Sequence, residues 1–249
     1  MIIVIATRLS SYTNLSNPYK LIPKIIHYCW FGGAEKPKEV IAFISTWKKY
    51  CPDFEIKEWN ESNFDVHCNT YCEQAYENRK WAFVSDVARL YALVEEGGFY
   101  LDTDVELIKN ISPLTEMQAV VGFEGTKYIG TNFMACVPHH PFFQAFLDSY
   151  AKRKFVSIDG SFDLVTNVTE ITNMFVDNGL ERDGKMQEVS GVMIYPCDYF
   201  SPYDYIDGQL KKTRNTYSIH WFSQSWIKRN KLKAKLIQLY HRIIGRNVE

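Results

Sequence analysis

Apolar positions change their spacing several times along this chain, and each change marks an element. Pro23 to Trp30 is a mostly apolar run closed by Gly32-Gly33, and it reads as a strand. From Lys38 to Tyr50 the apolar residues Val40, Ile41, Ile44 and Trp47 take helical spacing. That helix should stop before Cys51-Pro52, because a residue ahead of proline avoids helical backbone. Phe54 to Trp59 predicts a second strand. Strand alternating with helix indicates α/β layering.

The next segment carries the most information. Over Trp81 to Glu96, Phe83, Val87, Leu90, Tyr91 and Val94 form one apolar stripe on a helix. Gly97-Gly98 should end it with a left-handed cap. Asp86 and Arg89 lie three apart and are therefore neighbours on another face, where a surface ion pair worth about 0–1 kcal/mol is expected. Phe99 to Val105 then reads as a short buried strand ending in the acids Asp102 and Asp104. Further on, Gly122 to Gly130 reads as loop, Asn132 to Val137 as strand and Pro141 to Tyr150 as a core helix. Val189 to Tyr195 reads as a strand stopped by Pro196, and Ser218 to Trp221 ends the body.

Composition narrows the class. The 249 residues are 46% hydrophobic and 23% charged, which is ordinary for a soluble globular chain of one or two domains. Net charge is −1 but uneven: from Lys228 onward seven Lys and Arg face a single acid, Glu249. The acidic main body argues against nucleic-acid binding, and the tail is a separate electrostatic element. The six cysteines form no Cys-x-x-Cys pair, so reduced thiols are expected rather than zinc. Met1 to Ala6 is too short to span a bilayer and reads as a first strand or a frayed start.

Two carboxylates two residues apart share one face of a regular strand. Such a pair is costly unless something cationic lies between its members. Hard oxygen ligands suit Mg²⁺ or Mn²⁺, which keep other positions for water and phosphate. Asp102-Thr103-Asp104 follows an apolar strand, a Gly-Gly pair and an Asp/Arg helix, and this order makes the short motif specific.

Three stretches together resemble glycosyltransferase family 32: Ile22 to Gly33, Ser85-Asp86-Val87-Ala88-Arg89, and Gly97 to Asp104. That family includes capsular-polysaccharide sugar transferases and Och-type mannosyltransferases, and its core is similar to the glucosyltransferase domains of clostridial toxins. The resemblance implies a GT-A fold: an α/β domain with a mostly parallel (mixed) sheet flanked by helices, spanning 1–227 and binding a nucleotide sugar. It also implies Mn²⁺ or Mg²⁺ held by Asp104 directly, with help from Asp102 and with His220 as a third ligand. Asp86 and Asp102 would reach the ribose or sugar hydroxyls, and Arg89 the sugar or diphosphate. Trp30 would lie against the base and Asn132 against the donor sugar, while Ser225 and Trp226 would close over the phosphates. His27 is expected to be structural; His67, His139 and His140 are loop histidines. Asp102, Asp104 and Arg89 are the expected catalytic residues.

The implied reaction is retaining transfer of a hexose to a hydroxyl of a glycan or lipid-linked oligosaccharide, in cell-surface polysaccharide synthesis. UDP-sugars are favoured as donors, with GDP-mannose left open. No general base stands out. Residues 228–249 carry Leu232, Leu236, Leu239, Tyr240, Ile243 and Ile244 at helical spacing, a basic amphipathic helix suited to an anionic membrane face. A cytoplasmic enzyme, peripheral at the inner face of the plasma membrane, is therefore expected. Two rival readings fit the same motif: a haloacid-dehalogenase-type phosphohydrolase with Asp102 as nucleophile, and a non-catalytic sugar-binding protein.

Overall fold

The computed structural model describes residues 21–223. The segment Met1–Ala6, the residues Ser225 and Trp226, and the helix expected over 228–249 lie outside the described residues, as does the domain boundary after 227.

A seven-stranded mixed sheet forms the centre, in the order β2-β1-β3-β6-β5-β8-β7. Its strands are β1 (Ile25–Cys29), β2 (Glu55–Trp59), β3 (Gly98–Leu101), β5 (Ala119–Glu124), β6 (Tyr128–Cys136), β7 (Gln187–Val189) and β8 (Val192–Tyr195). β1 is parallel to both β2 and β3. β6 runs antiparallel to β3 on one side and to β5 on the other. β1, β3 and β5 therefore point the same way, and their carboxyl ends open on one edge, where ligands of α/β sheets sit. β4 (Val105–Leu107) leaves the main sheet to pair with β11 (Ser218–His220). β9 (Tyr203–Asp204) and β10 (Gln209–Leu210) make a separate hairpin.

Both faces of the sheet are covered. α1 (Lys38–Tyr50) and the short α6 (Cys197–Phe200) pack on one face, where Trp47, Val105, Leu107, Phe133 and Phe200 share a core. α2 (Thr70–Glu77), α3 (Trp81–Glu96), α4 (Pro141–Tyr150) and α5 (Asn167–Asp177) cover the other, around Tyr71, Val84, Leu90, Phe142 and Phe175. β3 shows the alternation that feeds two cores: Phe99 and Leu101 face one, Tyr100 the other. Among the described residues, no helix is long and apolar enough to cross a membrane.

α1 and α3 have the bounds their periodicity predicts. Four expectations need correction. Gly122 to Gly130 is not a loop but the turn region of the β5–β6 hairpin, with Gly125-Thr126-Lys127 between the strands. Val189 to Tyr195 is not one strand, because Gly191, at φ 76°, folds it into β7 and β8. Gly97 does not form a left-handed helical cap, since its ψ is −156°. Its φ of 66°, and a Cβ that would stand 2.6 Å from Pro138, nevertheless demand glycine. Tyr91 is 38% exposed instead of core, and covers Trp59 and Phe64 edge-on.

His27 is buried and structural, as expected. The Trp59 indole can only donate, so its 3.0 Å bond makes His27 Nδ1 an acceptor. Nε2 then donates to the Gly97 carbonyl at 2.8 Å. Burial lowers the His27 pKa to about 4, and the Gly97 bond only partly opposes that. His140 is likewise no loop histidine; it is buried at the start of α4, and burial lowers it to about 4.

Candidate active site

The carboxyl ends of β1, β3 and β5 and the amino end of β6 border a cleft of about 630 Å³, within the range of small-molecule sites. Trp30, Asp86, Arg89, Asp102, Asp104, Asn132 and His220 all line it. Every candidate site residue within the described chain is thus brought to one place.

α3 supplies Asp86 and Arg89. Their side chains are 10% and 7% exposed and meet at 3.1 Å, so the expected surface pair is a buried one. The second face of α3 looks into the cleft floor instead of solvent, because α5 and β6 close over it. Arg89 also donates to the carbonyls of Ser85 (3.2 Å) and Thr131 (3.1 Å), and reaches Asp102 at 3.3 Å. Its guanidinium lies 4.6 Å from the centre of the Tyr100 ring. Burial lowers the Arg89 pKa, but the Asp102, Tyr100 and Asp86 charges outweigh it and raise it overall. Burial pushes Asp86 up to about 6 against the pull of Arg89. Asn167 donates to Asp86 at 2.6 Å and accepts from Thr131 at 3.0 Å.

The strand expected over 99–105 breaks in the middle. Asp102 N–H donates to the Asn132 carbonyl, continuing the ladder, and then the Asp102 carbonyl accepts from Val105 N–H at 3.0 Å. Asp102 and Asp104 therefore sit in a tight turn, not on one face of a strand, because β4 departs to pair with β11. Convergence survives the correction: ligand atoms of Asp102, Asp104 and His220 all lie within 4.8 Å of one another. Asp102 accepts from the Tyr100 hydroxyl at 2.9 Å. Asp104 meets His220 Nε2 at 3.3 Å and accepts from the backbone and hydroxyl of Ser223 at 2.8 and 2.9 Å. Burial pushes Asp104 up, but His220 and Ser223 outweigh it and bring it down to about 2. Burial lowers His220, and the bond and charge of Asp104 raise it further than that.

The donor set fits a divalent cation. Two carboxylates and an imidazole converge in a cleft where Asp86 and Glu124 add further acid and Arg89 is the fixed cation. Oxygen with one nitrogen suits Mn²⁺ or Mg²⁺. The buried His220 Nδ1 has no hydrogen-bond partner in the described protein, nor has the buried amide nitrogen of Asn132. Polar atoms of this kind are rarely left without a partner in the working protein. Trp30 presents its ring to the cleft while its indole nitrogen donates to the Ala34 carbonyl at 2.6 Å.

Four residues escaped the sequence reading. Tyr100 adjoins the acid motif and could have been found there. Thr131 and Asn167 carry no local signal, since their role exists only across the α3–β6–α5 junction. Ser223 holds Asp104 two residues ahead of the Ser225 that was expected to close the site.

Comparisons with known proteins fit this geometry. Residues 37–121 match the family model described as glycosyltransferase sugar-binding region containing DXD motif. Inositol phosphoceramide mannosyltransferase 3 of Schizosaccharomyces pombe is 29% identical over 135 residues, 51% of this chain and 36% of its own length. A glycosyltransferase of Acanthamoeba polyphaga mimivirus is 26% identical over 215 residues, 78% of this chain and 82% of its own. Mannosyl phosphorylinositol ceramide synthase CSH1 of Saccharomyces cerevisiae is 27% identical over 139 residues, 53% of this chain and 36% of its own. The chain thus spans little more than a third of the length of the two fungal relatives. Among solved structures, the PaToxG glycosyltransferase aligns with a TM-score of 0.44 at 22% identity, covering 59% of this chain and 66% of its own. A glycosyltransferase involved in glycosylation of the PBCV-1 major capsid aligns at 0.47 and 10%, covering 87% and 100%.

Proposed function

We propose, on the match of residues 37–121 to a glycosyltransferase sugar-binding region containing a DXD motif, that the chain is a metal-dependent retaining glycosyltransferase. It moves a hexose from a nucleotide sugar to a hydroxyl of a glycan or lipid-linked acceptor. The observation that carries the reading is the convergence of Asp102, Asp104 and His220 beside the buried Arg89. These three residues would hold Mn²⁺ or Mg²⁺, which when bound supplies Lewis-acid stabilisation of the leaving diphosphate. Asp104 is suited to this as a carboxylate that stays ionised throughout the working pH range.

The remaining residues orient and stabilise. Arg89 is fixed by two carbonyls and two carboxylates, so its charge needs no rearrangement when negative charge grows on the leaving group. Asn132 offers an unused buried amide donor to the sugar. Asp86, positioned by Asn167, faces sugar or ribose hydroxyls. Trp30 gives the base a ring to lie against.

The names of the fungal relatives support mannose, and so GDP-mannose beside UDP-sugars, with an inositol-bearing lipid among the acceptors. A lipid-linked acceptor suits an enzyme at the cytoplasmic membrane face, reached through the basic 228–249 segment. Deleting 228–249 should then move the protein from the membrane to the soluble fraction.

A nucleotide-sugar panel with Mn²⁺ tests the core of the proposal. One donor should raise the melting temperature and release nucleoside diphosphate, and a chelator should abolish both. No release from any donor refutes the transferase. Hydrolysis of simple phosphate esters without sugar transfer would establish the phosphohydrolase in its place.

A further inference from the structure

Glu124 ends β5, and its part-buried carboxyl lines the same cleft as the acids and His220. It differs from them in one respect. Asp86, Asp102 and Asp104 are each held by hydrogen bonds. Glu124 makes no hydrogen bond or ion pair with any described residue, although the charges of His220, Asp102 and Asp104 all act on it. The carboxyl opens into the cleft, so it offers whatever binds there a hydrogen-bond acceptor that has no donor among the described residues.

Its place in the sheet says what that could be. Across the open edge, Trp30 follows β1, Asp102 follows β3, and Glu124 ends β5 on the far side of β6. With strands about 4.8 Å apart, β5 lies about 10 Å beyond β3. Trp30 and Glu124 thus flank the Asp102–Asp104 turn from opposite sides. The following inference rests on the donor orientation proposed above. A diphosphate at the turn with its base toward Trp30 sends the transferred sugar toward β6 and β5. Gly130 lets Asn132 and Glu124 sit together there, since a Cβ would stand 2.6 Å from Asn132 Oδ1 and 3.7 Å from Glu124 Oε2. Phe222 and Tyr205 also line the cleft, and the Phe222 ring lies 3.9 Å from the His220 ring centre and 4.7 Å from that of Tyr205. Ring faces of this kind pack against the C–H faces of sugars.

We propose that Glu124, with the rings of Phe222 and Tyr205, forms the acceptor subsite, taking a polyhydroxylated ring whose attacking hydroxyl donates a hydrogen bond to the Glu124 carboxylate. Glu124 touches the acceptor and neither the metal site nor the nucleotide.

The test compares the full chain with Glu124→Gln, nearly isosteric, and Glu124→Asp. The acceptor probes are methyl glycosides in one arm and myo-inositol in the other, which separates glycan from cyclitol headgroup. With the donor that wild type turns over, Glu124→Gln should raise the probe KM about tenfold and shift partition from transfer to hydrolysis by a similar factor. Glu124→Asp should recover part of both. Calorimetric Kd values for Mn²⁺ and for the nucleoside diphosphate should stay within about twofold, and an unchanged melting temperature shows the fold is intact. Unchanged partition and KM in Glu124→Gln overturn the subsite alone. A tenfold loss of Mn²⁺ affinity also overturns it, since Glu124 would then belong to the metal site. A wild type that releases no nucleoside diphosphate from any donor overturns the transferase reading and the subsite with it.

Discussion

Two clusters of buried polar groups lie at opposite ends of α3, and they are built on different terms. At its carboxyl end, His27 accepts from Trp59 and donates to Gly97, and both ring nitrogens are used. Near its amino end, Asp86, Arg89, Asp102, Asp104 and His220 are also buried or nearly so, but the set is left incomplete. The Asn132 amide and His220 Nδ1 have no partner, Glu124 has none among the described residues, and acid exceeds base. The first cluster is saturated and locks one tautomer, so it serves the fold. The second retains donors, acceptors and negative charge for a ligand. Unused capacity and net negative charge, more than burial or polarity, separate this cluster from the one around His27. Substitutions should therefore affect chemistry at one end and stability at the other.

The sharpest break comes at Asp104. Asp104→Asn removes the charge but keeps the bonds from Ser223, so the fold should hold within a few degrees of melting temperature. Metal-dependent donor turnover should fall about a thousandfold, roughly 4 kcal/mol on the barrier. Steady-state kinetics with Mn²⁺ decide it, and near-normal turnover would dismiss the metal assignment.

Arg89 blurs the line on purpose, because it belongs to both the cleft and the packing of α3. Arg89→Ala leaves the buried Asp86 and the part-buried Asp102 without their cation, at a cost of about 3 kcal/mol in urea unfolding. It should also lower turnover about a hundredfold, because the charge facing the leaving group is gone. A variant that lost activity without losing stability would contradict the buried pair seen here.

How much of this was legible in the sequence follows the same division. Helical periodicity gave α1 and α3 to the residue, and the Gly-Gly pair located the end of α3, because local spacing encodes which face is apolar. The Asp-Thr-Asp motif and the Asp86/Arg89 pair are contiguous or one turn apart, so their neighbourhood is readable. The break between β3 and β4 was not, since it depends on β11 arriving more than a hundred residues later. Nor was the burial of Arg89, which requires Thr131 and Asn167 from other elements. The glycine-bearing segments 122–130 and 189–195, read as a loop and a single strand, concealed two hairpins, because strand and loop differ little in composition when glycine is frequent.

At the saturated end, acid should be the tool. His27 has an ordinary pKa of 6.5 and is lowered to about 4 in the folded protein. Between these values the unfolded chain binds a proton that the native protein refuses. Stability from His27 is therefore complete above pH 6.5 and drains as pH falls toward 4, by about 3 kcal/mol in all. His140 carries a shift of the same sign and range. The raised Asp86 carboxyl and His220 act in the opposite sense, gaining stability as pH falls, and offset part of this loss. Urea midpoints from pH 7.5 to 4 should still fall for wild type. His27→Ala should be less stable at pH 7.5 and should lose the His27 share of that pH slope. An unaltered slope would show that His27 is not the titrating group.

The smallest effect tests whether the two ends are mechanically linked through β4. The Trp47 indole, on α1, donates to the Val105 carbonyl at 2.8 Å. Its neighbour Thr46 accepts from Leu107 N–H at 3.0 Å. α1 thus clamps the strand that begins one residue after Asp104, without touching the cleft acids. Trp47→Phe keeps most of the apolar volume and leaves the buried Val105 carbonyl without its donor, a loss of about 1 kcal/mol. If the clamp also fixes the turn, Mn²⁺ affinity should weaken by about threefold while the pH slope set by His27 stays the same. Loss of stability with unchanged Mn²⁺ affinity would show that the Asp102–Asp104 turn is held without α1, and that α1 contributes only to the fold.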